Sequence, residues 1–537
     1  MPKQHLLVNN IADAGLNSDL IAYDLPPEFL TNLKNIRISE KKLSPFGGYA
    51  DIISFAVGFD PGYILYIRGD SGGDGFWIIA GNTAVFAFDG ATLFNISSAA
   101  GYAPIANEDL WNGCKLADIP ILNHVDNIPE YWPDPQSGAT ALIPLPWKVG
   151  QDWATAGESC RIMRSHKQYL FAMDLTGAFG AAPDGVRWSS PADIGGVPET
   201  WDHLDDTNVA GLTSLSGNGG KIIDGLSLRD AFVIYQELGI TIFDFVPNSP
   251  YVWRIREQST TFGLASINSV VEVKGNHYFI SDGDIFYNNG TTIQSIMHNQ
   301  IRTMFISDIN IDAYKTSFAI KNSIYTEIWF CIPGQGSTHP NLAYIYNWRD
   351  SSWAIRDIPQ TPSGDYGSKG DLLLTGSTWG DIVGTWDEQS RIWNASNISI
   401  YDNTILCAVK PNSADNDSTT GKLRILDLSI VESIVPYNVI VERIGFALGG
   451  LKRVTTITRL YPHMTGSGKV FIQIGSMEYQ NGPVSWKPGV TFDPKIDRKV
   501  DIRSTGALHA YRFSNVDVDA PWSLSGFDID FVDAGER

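Results

Sequence analysis

Tyr63-Ile64-Leu65-Tyr66-Ile67-Arg68, Trp77-Ile78-Ile79-Ala80, Val85-Phe86-Ala87-Phe88 and Leu93-Phe94-Asn95-Ile96 decide the fold class. Each is a short aromatic and β-branched run, and Gly, Asp and Asn separate them, which is the pattern of a hairpin meander. Four such strands in so short a stretch make one sheet the size of a propeller blade. The pattern returns over 231–257, where Phe232-Val233-Ile234-Tyr235, Thr241-Ile242-Phe243-Asp244-Phe245 and Val252-Trp253-Arg254-Ile255 follow one another, and again over 269–296 and 326–357. A linking unit also repeats. Phe88-Asp89-Gly90-Ala91-Thr92-Leu93-Phe94 compares with Tyr287-Asn288-Asn289-Gly290-Thr291-Thr292-Ile293, and more loosely with Tyr346-Asn347-Trp348-Arg349-Asp350-Ser351-Ser352-Trp353. A blade cannot bury both faces of its sheet alone, so repeated blades stack around an axis. The repeat is degenerate, and an irregular β-sandwich would show much the same pattern.

The composition agrees with an all-β chain. Of 537 residues 43% are hydrophobic, 12% aromatic and only 18% charged, with 51 Gly and 28 Pro. A well-filled core with many turns favours short strands and excludes a collagen, a coiled coil or a disordered chain. Asp and Glu number 59 against 39 Lys and Arg, a formal charge of -20, so a whole-surface grip on DNA or on an anionic membrane is not expected. No run approaches the ~18 apolar residues of a membrane span, and Met1 to Asn10 lacks the apolar region of a signal peptide. No membrane insertion is predicted, and synthesis in a cytoplasm is. Cys114, Cys160, Cys331 and Cys407 lie far apart without CxxC spacing, which predicts buried free thiols rather than a disulfide framework or a zinc site.

Away from the strand clusters the signals change. Asp24 to Leu33, with Pro26, Pro27 and Glu28 in a first turn and Phe29, Leu30 and Leu33 at helical spacing, predicts a helix, and His298 to Phe305 predicts another. Residues 101–152, rich in Pro, Trp and Asp with little periodicity, read as a long ordered insertion or loop system. Asn412 to Gly421 reads as a polar surface loop. Val470-Phe471-Ile472-Gln473-Ile474, Leu508-His509-Ala510-Tyr511-Arg512-Phe513 and Phe527-Asp528-Ile529-Asp530-Phe531 alternate as half-exposed antiparallel strands do. The expected architecture is mainly β: an irregular β-propeller over 51–430, with a β-rich platform made from the N-terminal segment 1–50 and a sandwich-like C-terminal domain over 431–537.

Motifs that suggest enzymes do not complete. Gly69-Asp70-Ser71-Gly72-Gly73 looks like a serine-protease nucleophile loop, but only His5 precedes it, and that chemistry needs an upstream His and Asp. Gly217-Asn218-Gly219-Gly220-Lys221 has Leu215 and Ile222 where a phosphate loop needs Gly and Ser or Thr. The carboxylate runs at Asp70 to Gly75 and Asp415 to Gly421 lack the twelfth-position Glu of a calcium loop, having Gly81 and Leu426 there. Thr378-Trp379-Gly380-Asp381 misses the spacing of a sialidase Asp-box. A glycosidase needs only two carboxylates, and with so many acids that signal has no specificity. The expectation is no enzyme, no cofactor and no metal site.

Several segments carry a resemblance. Asn9-Asn10-Ile11 through Gly15-Leu16-Asn17-Ser18-Asp19, Leu25-Pro26-Pro27-Glu28, Asn35-Ile36-Arg37, Val186-Arg187-Trp188-Ser189 to Pro198-Glu199-Thr200-Trp201, Arg302 to Asn310 and Trp522 to Asp530 together resemble the tail nozzle proteins of short-tailed bacteriophages, also known as tail tubular protein B or packaged-DNA stabilisation proteins. The segments cover about a sixth of the chain. This chain departs from the family in its acidic close, Asp533-Ala534-Gly535-Glu536-Arg537.

The resemblance implies a structural virion protein: a homohexamer at the distal end of the tail, a propeller joined to a platform of both termini, docked under the tail adaptor and contacting tail fibres or tailspikes. Such a ring retains packaged double-stranded DNA and conducts it at ejection, without sequence-specific binding. An acid-rich wall repels phosphates and suits passage. The Gly- and Pro-rich stretches 333–341 (Pro333, Gly334, Gly336) and 359–371 (Pro359, Pro362, Gly364, Gly367) are candidate channel gates. Lys34, Arg37, Lys41 and Lys42, with Lys495, Arg498, Lys499 and Arg503, are candidate contacts to neighbouring subunits or the adaptor, although solvated strand ends explain each cluster equally well. A receptor-binding tail-fibre propeller and a polysaccharide-degrading glycosidase remain alternatives.

Overall fold

The computed structural model describes residues 4–536 apart from 12, 69–74, 100, 103–104, 106–107, 134, 136–139, 179, 216, 218, 248, 250, 369–402, 414–417, 429–437 and 517–519. The protease-like loop at Gly69 to Gly73, most of the calcium-like runs and the Asp-box-like Thr378 to Asp381 fall outside the described residues.

The aromatic runs form antiparallel four-stranded sheets. Blade one is Pro61–Ile67, Phe76–Gly81, Val85–Phe88 and Leu93–Asn95. Blade two is Asn112–Leu116, Ile119–Asn123, Glu130–Tyr131 and Ile143–Pro144, and blade three is Ser159–His166, Tyr169–Gly177, Gly180–Trp188 and Gly211–Ser214. Blade four is Ile222–Leu228, Ala231–Gln236, Ile240–Phe245 and Trp253–Ser259, and blade five is Val270–Val273, Asn276–Ser281, Asp284–Asn288 and Ile293–Ser295. Blade six is Phe318–Asn322, Glu327–Ile332, Leu342–Asn347 and Ser352–Asp357. Blade seven takes Gly364–Ser368, Asn403–Val409 and Lys422–Leu428 from one end of the propeller sequence and its outer strand, Gly48–Ser54, from the other. The first strand of each blade packs against the first strand of the next, and Gly364–Ser368 packs against Pro61–Ile67, so the ring closes.

Strand periodicity explains why the ring holds. Successive side chains leave opposite faces of a strand. In blade one, Tyr63 and Leu65 join Trp111, Leu122 and Trp132 of blade two in one core, while Ile64 and Tyr66 join Leu406, Ala408 and Ile425 of blade seven in another. The same division recurs around the ring, with Phe171 of blade three stacked on Phe232 of blade four at 4.2 Å. Both faces are buried, so second strands such as Phe76–Gly81 and Glu327–Ile332 read as near-continuous apolar runs.

The linking repeat is a real turn. Asp89 Oδ1 accepts from the backbone N–H of Ala91 and Thr92 at 2.8 and 2.6 Å, and Asn289 Oδ1 accepts from Thr291 and Thr292 at 2.9 and 2.7 Å. Gly90 and Gly290 follow with φ of 106° and 87°, where a side chain would be strained. The looser copy keeps the carbonyl, with Asn347 Oδ1 accepting from Arg349 and Asp350, but has no Gly.

The platform is two sheets. In one, Trp522–Glu536 pairs with Arg453–Gly466 and with Gln4–Asn9, and continues through Lys42–Pro45 to Ile36–Ser39. The other is an extension of blade six. Its outer strand pairs in parallel with Asn32–Lys34, followed by Ile440–Phe446, Leu508–Asn515 and Val470–Met477. Ile457, Ile529 and Phe527 of the first sheet and Ile472 and Phe513 of the second share one core with Phe330 and Tyr344 of blade six. Platform and propeller are therefore one packed body.

Two expectations fail here. The stretch 101–152 contains blade two rather than an insertion; its strands are short, and Pro120 and Pro144 lie within them, so no alternation shows. Asp24 to Leu33 is not a helix: Phe29–Leu30 pairs in parallel with Gly15–Leu16, and burial of Leu30 and Leu33 in the sheet core outweighs the helical spacing. The second expected helix begins later than its pattern suggests, at Arg302–Asp308. All four cysteines are free and buried, and burial pushes the Cys114 and Cys407 thiols up to about 12. Among the described residues no helix is long and apolar enough to cross a membrane.

Candidate functional site

The propeller axis is where residues from all seven blades meet. A cavity of about 380 Å³ is walled by the middles of the innermost strands, including Leu65, Lys115, Arg164, Asp224, Val270, Ala319 and Asp365. A second cavity of about 610 Å³ opens where those strands begin, with Asp109, Arg161, Lys221, Leu264, Lys315, Pro362 and Lys410 in its wall. Asn268 and Phe318 belong to both walls and stand between them.

Neighbouring blades are cross-linked at this level. Arg164 Nε and Nη2 donate to the two oxygens of Asp224 at 2.8 and 2.9 Å, Nη2 also to Asn268 Oδ1 at 2.7 Å, and Nη1 to the carbonyl of Gly113 at 2.9 Å. Asp224 further accepts from the N–H groups of Gly225 and Asn268, each at 2.8 Å. Burial opposes the Arg164 charge, but the Asp224 carboxylate outweighs it and raises the guanidinium pKa. This pair ties blades two, three and four to the lead-in of blade five.

The other carboxylate in the inner wall, Asp365, accepts from the N–H groups of Tyr66 and Tyr366 at 2.7 and 2.8 Å. Burial holds its carboxyl above the usual carboxylate range, with Lys115 opposing. The inner cavity thus offers one carboxylate engaged by Arg164 and one held by backbone amides, not the two free, facing carboxyls that glycoside hydrolysis uses.

Three buried imidazoles stay neutral. His166 meets Ser227 Oγ at 2.9 Å, His277 meets the Ser227 carbonyl at 2.8 Å, and His509 meets Thr455 Oγ1 at 2.7 Å. Burial lowers each to about 4. In the unfolded chain the ordinary value is 6.5, so as pH falls the unfolded state takes up protons first. The stabilisation is complete above pH 6.5 and is lost toward about 4, with up to ~3 kcal/mol for the most buried, His277. The urea midpoint is expected to fall steadily over that window, and His277→Gln to flatten the slope. An unchanged slope in the variant would remove His277 from this account.

The sequence-predicted residues do not converge. Arg37 is buried and bound by Glu327 and Asp427 of blades six and seven, so it is not an intersubunit contact; its charge is spent inside the chain. Lys34 pairs with Asp357 at 3.0 Å, Lys41 with Asp13 at 2.9 Å and Lys499 with Asp501 at 3.0 Å, while Lys42 and Arg498 are exposed. Gly364 and Gly367 lie in the innermost strand of blade seven, where a Cβ on Gly367 would meet the Tyr66 ring at 2.2 Å. The described part of 359–371 is therefore no projecting gate, Pro359 and Pro362 are buried, and 369–371 fall outside the described residues.

The stretch 333–341 is a loop, but a pinned one. Gly334 N–H donates to Asn341 Oδ1 at 2.7 Å, Asn310 Nδ2 to the Ser337 carbonyl at 2.8 Å, and His339 reaches Asp109 at 3.0 Å. Pro333 and Gly334 are buried and Gly336 is exposed. What sequence reasoning missed is the basic mouth of the axis, whose members sit on separate blades with no common spacing.

No protein-family model matches the chain, and no curated protein matches it in sequence. Among solved structures it is similar to the AfRom2 CNH domain (TM-score 0.35, 8% identity, 71% of this chain and 99% of that one). It is also similar to the computationally designed Ika8 protein (TM-score 0.34, 10% identity, 70% and 98%). A third is an exo-beta-1,3-galactanase from Phanerochaete chrysosporium (TM-score 0.25, 7% identity, 72% and 98%). Likeness at these scores carries nothing about activity, and the seven-bladed ring stands on its own strand order.

Proposed function

We propose that this chain is the nozzle subunit of a short phage tail, a structural protein of the virion that assembles as a ring of six under the tail adaptor, beside the fibres or tailspikes, and holds and then conducts the genome. The observation that carries the reading is where the segments of resemblance lie. Asp19 accepts from the first N–H groups of the Arg302–Asp308 helix, those of Arg302 and Thr303, at 3.0 Å each. Asn17 Nδ2 donates to the Asn299 carbonyl just before that helix at 3.0 Å. Asn9 pairs with Gly526 in the closing strand. Segments hundreds of residues apart in sequence thus support one another around the platform, while Val186 to Trp201 lies apart, at blade three.

The narrow axis fits the same reading. A double helix whose major groove alone is about 12 Å wide cannot thread an axial cavity of about 380 Å³, so its path runs between copies. A subunit charge of -20 keeps such a ring from holding phosphates. The test is the mass of the purified chain, alone and with its adaptor ring, together with an image of the particle tail. Six copies below the adaptor are expected. A monomer or trimer under both conditions, and a tail whose sixfold density contains no such propeller, would sink the reading.

A further inference from the structure

We propose that the mouth of the propeller axis is a binding site for a small phosphate monoester. This does not depend on the nozzle reading. The cavity, about 610 Å³, lies within the range of ligand pockets, roughly 300–1,000 Å³. Its wall carries Arg161, Lys221, Lys315 and Lys410 against Asp109 and Glu237, in a chain where acids outnumber bases 59 to 39. The local sign is the reverse of the whole.

The acids present are already engaged. Asp109 lies between Lys410 at 2.6 Å and His339 at 3.0 Å; burial opposes its charge, yet these two partners hold its carboxyl below the usual range. Glu237 is 3.7 Å from Lys221, and Asp174, behind the wall, is 3.4 Å from Arg161. Lys315 is exposed and makes no ion pair among the described residues. Among the described residues, counting Asp174 or leaving it out, the wall has an excess of one or two positive charges. A phosphate monoester carries about −1.5 to −2 at neutral pH, and lysine ammonium groups bind phosphate as point charges. Leu264 and Pro362 add apolar wall for the body of the ester, and Asn268 and Phe318 floor the site.

Isothermal titration of the full chain with glucose 6-phosphate, inorganic phosphate, glucose and glucuronate tests this. Glucose 6-phosphate is expected to bind and glucose not. Lys315→Ala and Lys221→Ala are each expected to weaken binding by about tenfold, the loss of one charge-assisted contact. Lys315→Ala removes no ion pair among the described residues, so an unchanged melting temperature separates lost binding from lost fold. The proposal is overturned if glucose 6-phosphate gives no binding up to about 10 mM, if both variants bind as the parent does, or if glucuronate binds as tightly. It is equally overturned if inorganic phosphate binds and the ester does not, because the site would then take the free ion.

Discussion

Replacing Arg37 by Met is expected to lower the unfolding free energy by ~3–5 kcal/mol, the cost of leaving buried charge without its partner. Arg37 Nε and Nη2 donate to the two oxygens of Glu327 at 2.7 and 3.1 Å, and Nη2 also to Asp427 at 2.6 Å. The side chains of Arg37 and Glu327 are 7% and 2% exposed. Tyr325 covers the guanidinium, its ring centroid 3.5 Å from Cζ. Asp427 in turn meets Arg356 at 3.4 Å and accepts from Gly47 N–H at 3.1 Å. It sits at a strand irregularity with φ of 64°, the kind of bulge that redirects a side chain. One network therefore joins a platform strand to blades six and seven. Burial opposes both charges, yet Arg37 is raised and Asp427 lowered, because each sees the other. The variant strands Glu327 and half of Asp427. Arg37→Met with Glu327→Gln is expected to recover about half of the loss, since an amide costs less to bury than a lone carboxylate. Urea midpoints of the two variants measure both effects, and a parental midpoint for Arg37→Met would mean that the network contributes no stability.

Four blades were legible in the sequence, and for one reason. In blades one, four, five and six the second and third strands are buried on both faces, so they appear as uninterrupted runs such as Phe232-Val233-Ile234-Tyr235. Blade two hides because two of its strands are only two residues long; Trp111 and Trp132 fill its space instead of a periodic run. Blade seven hides because its outer strand, Gly48–Ser54, pairs with Lys422–Leu428, and no local pattern announces a partner so distant.

The site was less legible, because charge in a sequence carries no information about its partner. Lys34, Arg37, Lys41 and Lys42 read as one basic patch, yet their carboxylates are scattered: Asp357, Glu327, Asp427 and Asp13. Lys42 alone of the four is exposed with no ion pair among the described residues. Arg161, Lys221, Lys315 and Lys410 converge only because the ring closes. The Gly and Pro content of 359–371 suggested a loop, but Gly364 and Gly367 are there for close packing against Ile320 and Tyr66.

Removing residues 1–55 is expected to abolish cooperative folding, whereas removing residues 1–9 is not. The described part of residues 1–9, Gln4–Asn9, is a largely exposed strand added to an edge. The rest of the segment is structural. Asn32–Lys34 lies between the outer strand of blade six and Ile440–Phe446, so its loss leaves two open edges where one sheet had joined propeller to platform. Gly48–Ser54 completes blade seven, and Asp51 there pairs with Lys422 at 2.7 Å and with the buried Arg424. Leu30, Leu33, Ile36, Ile38, Leu43, Phe46 and Tyr49 are all buried. At roughly 1.5–3 kcal/mol each, their burial contributes on the order of 10–20 kcal/mol, at least as much as the ~5–15 kcal/mol by which whole domains are stable. The chain 56–537 therefore has no native state to occupy, and supplying residues 4–55 as a separate peptide is expected to restore a thermal transition. A single sharp transition in the truncated chain alone would show that the propeller closes without its N-terminal strand, and the platform would then be an appendage instead of part of the ring's closure.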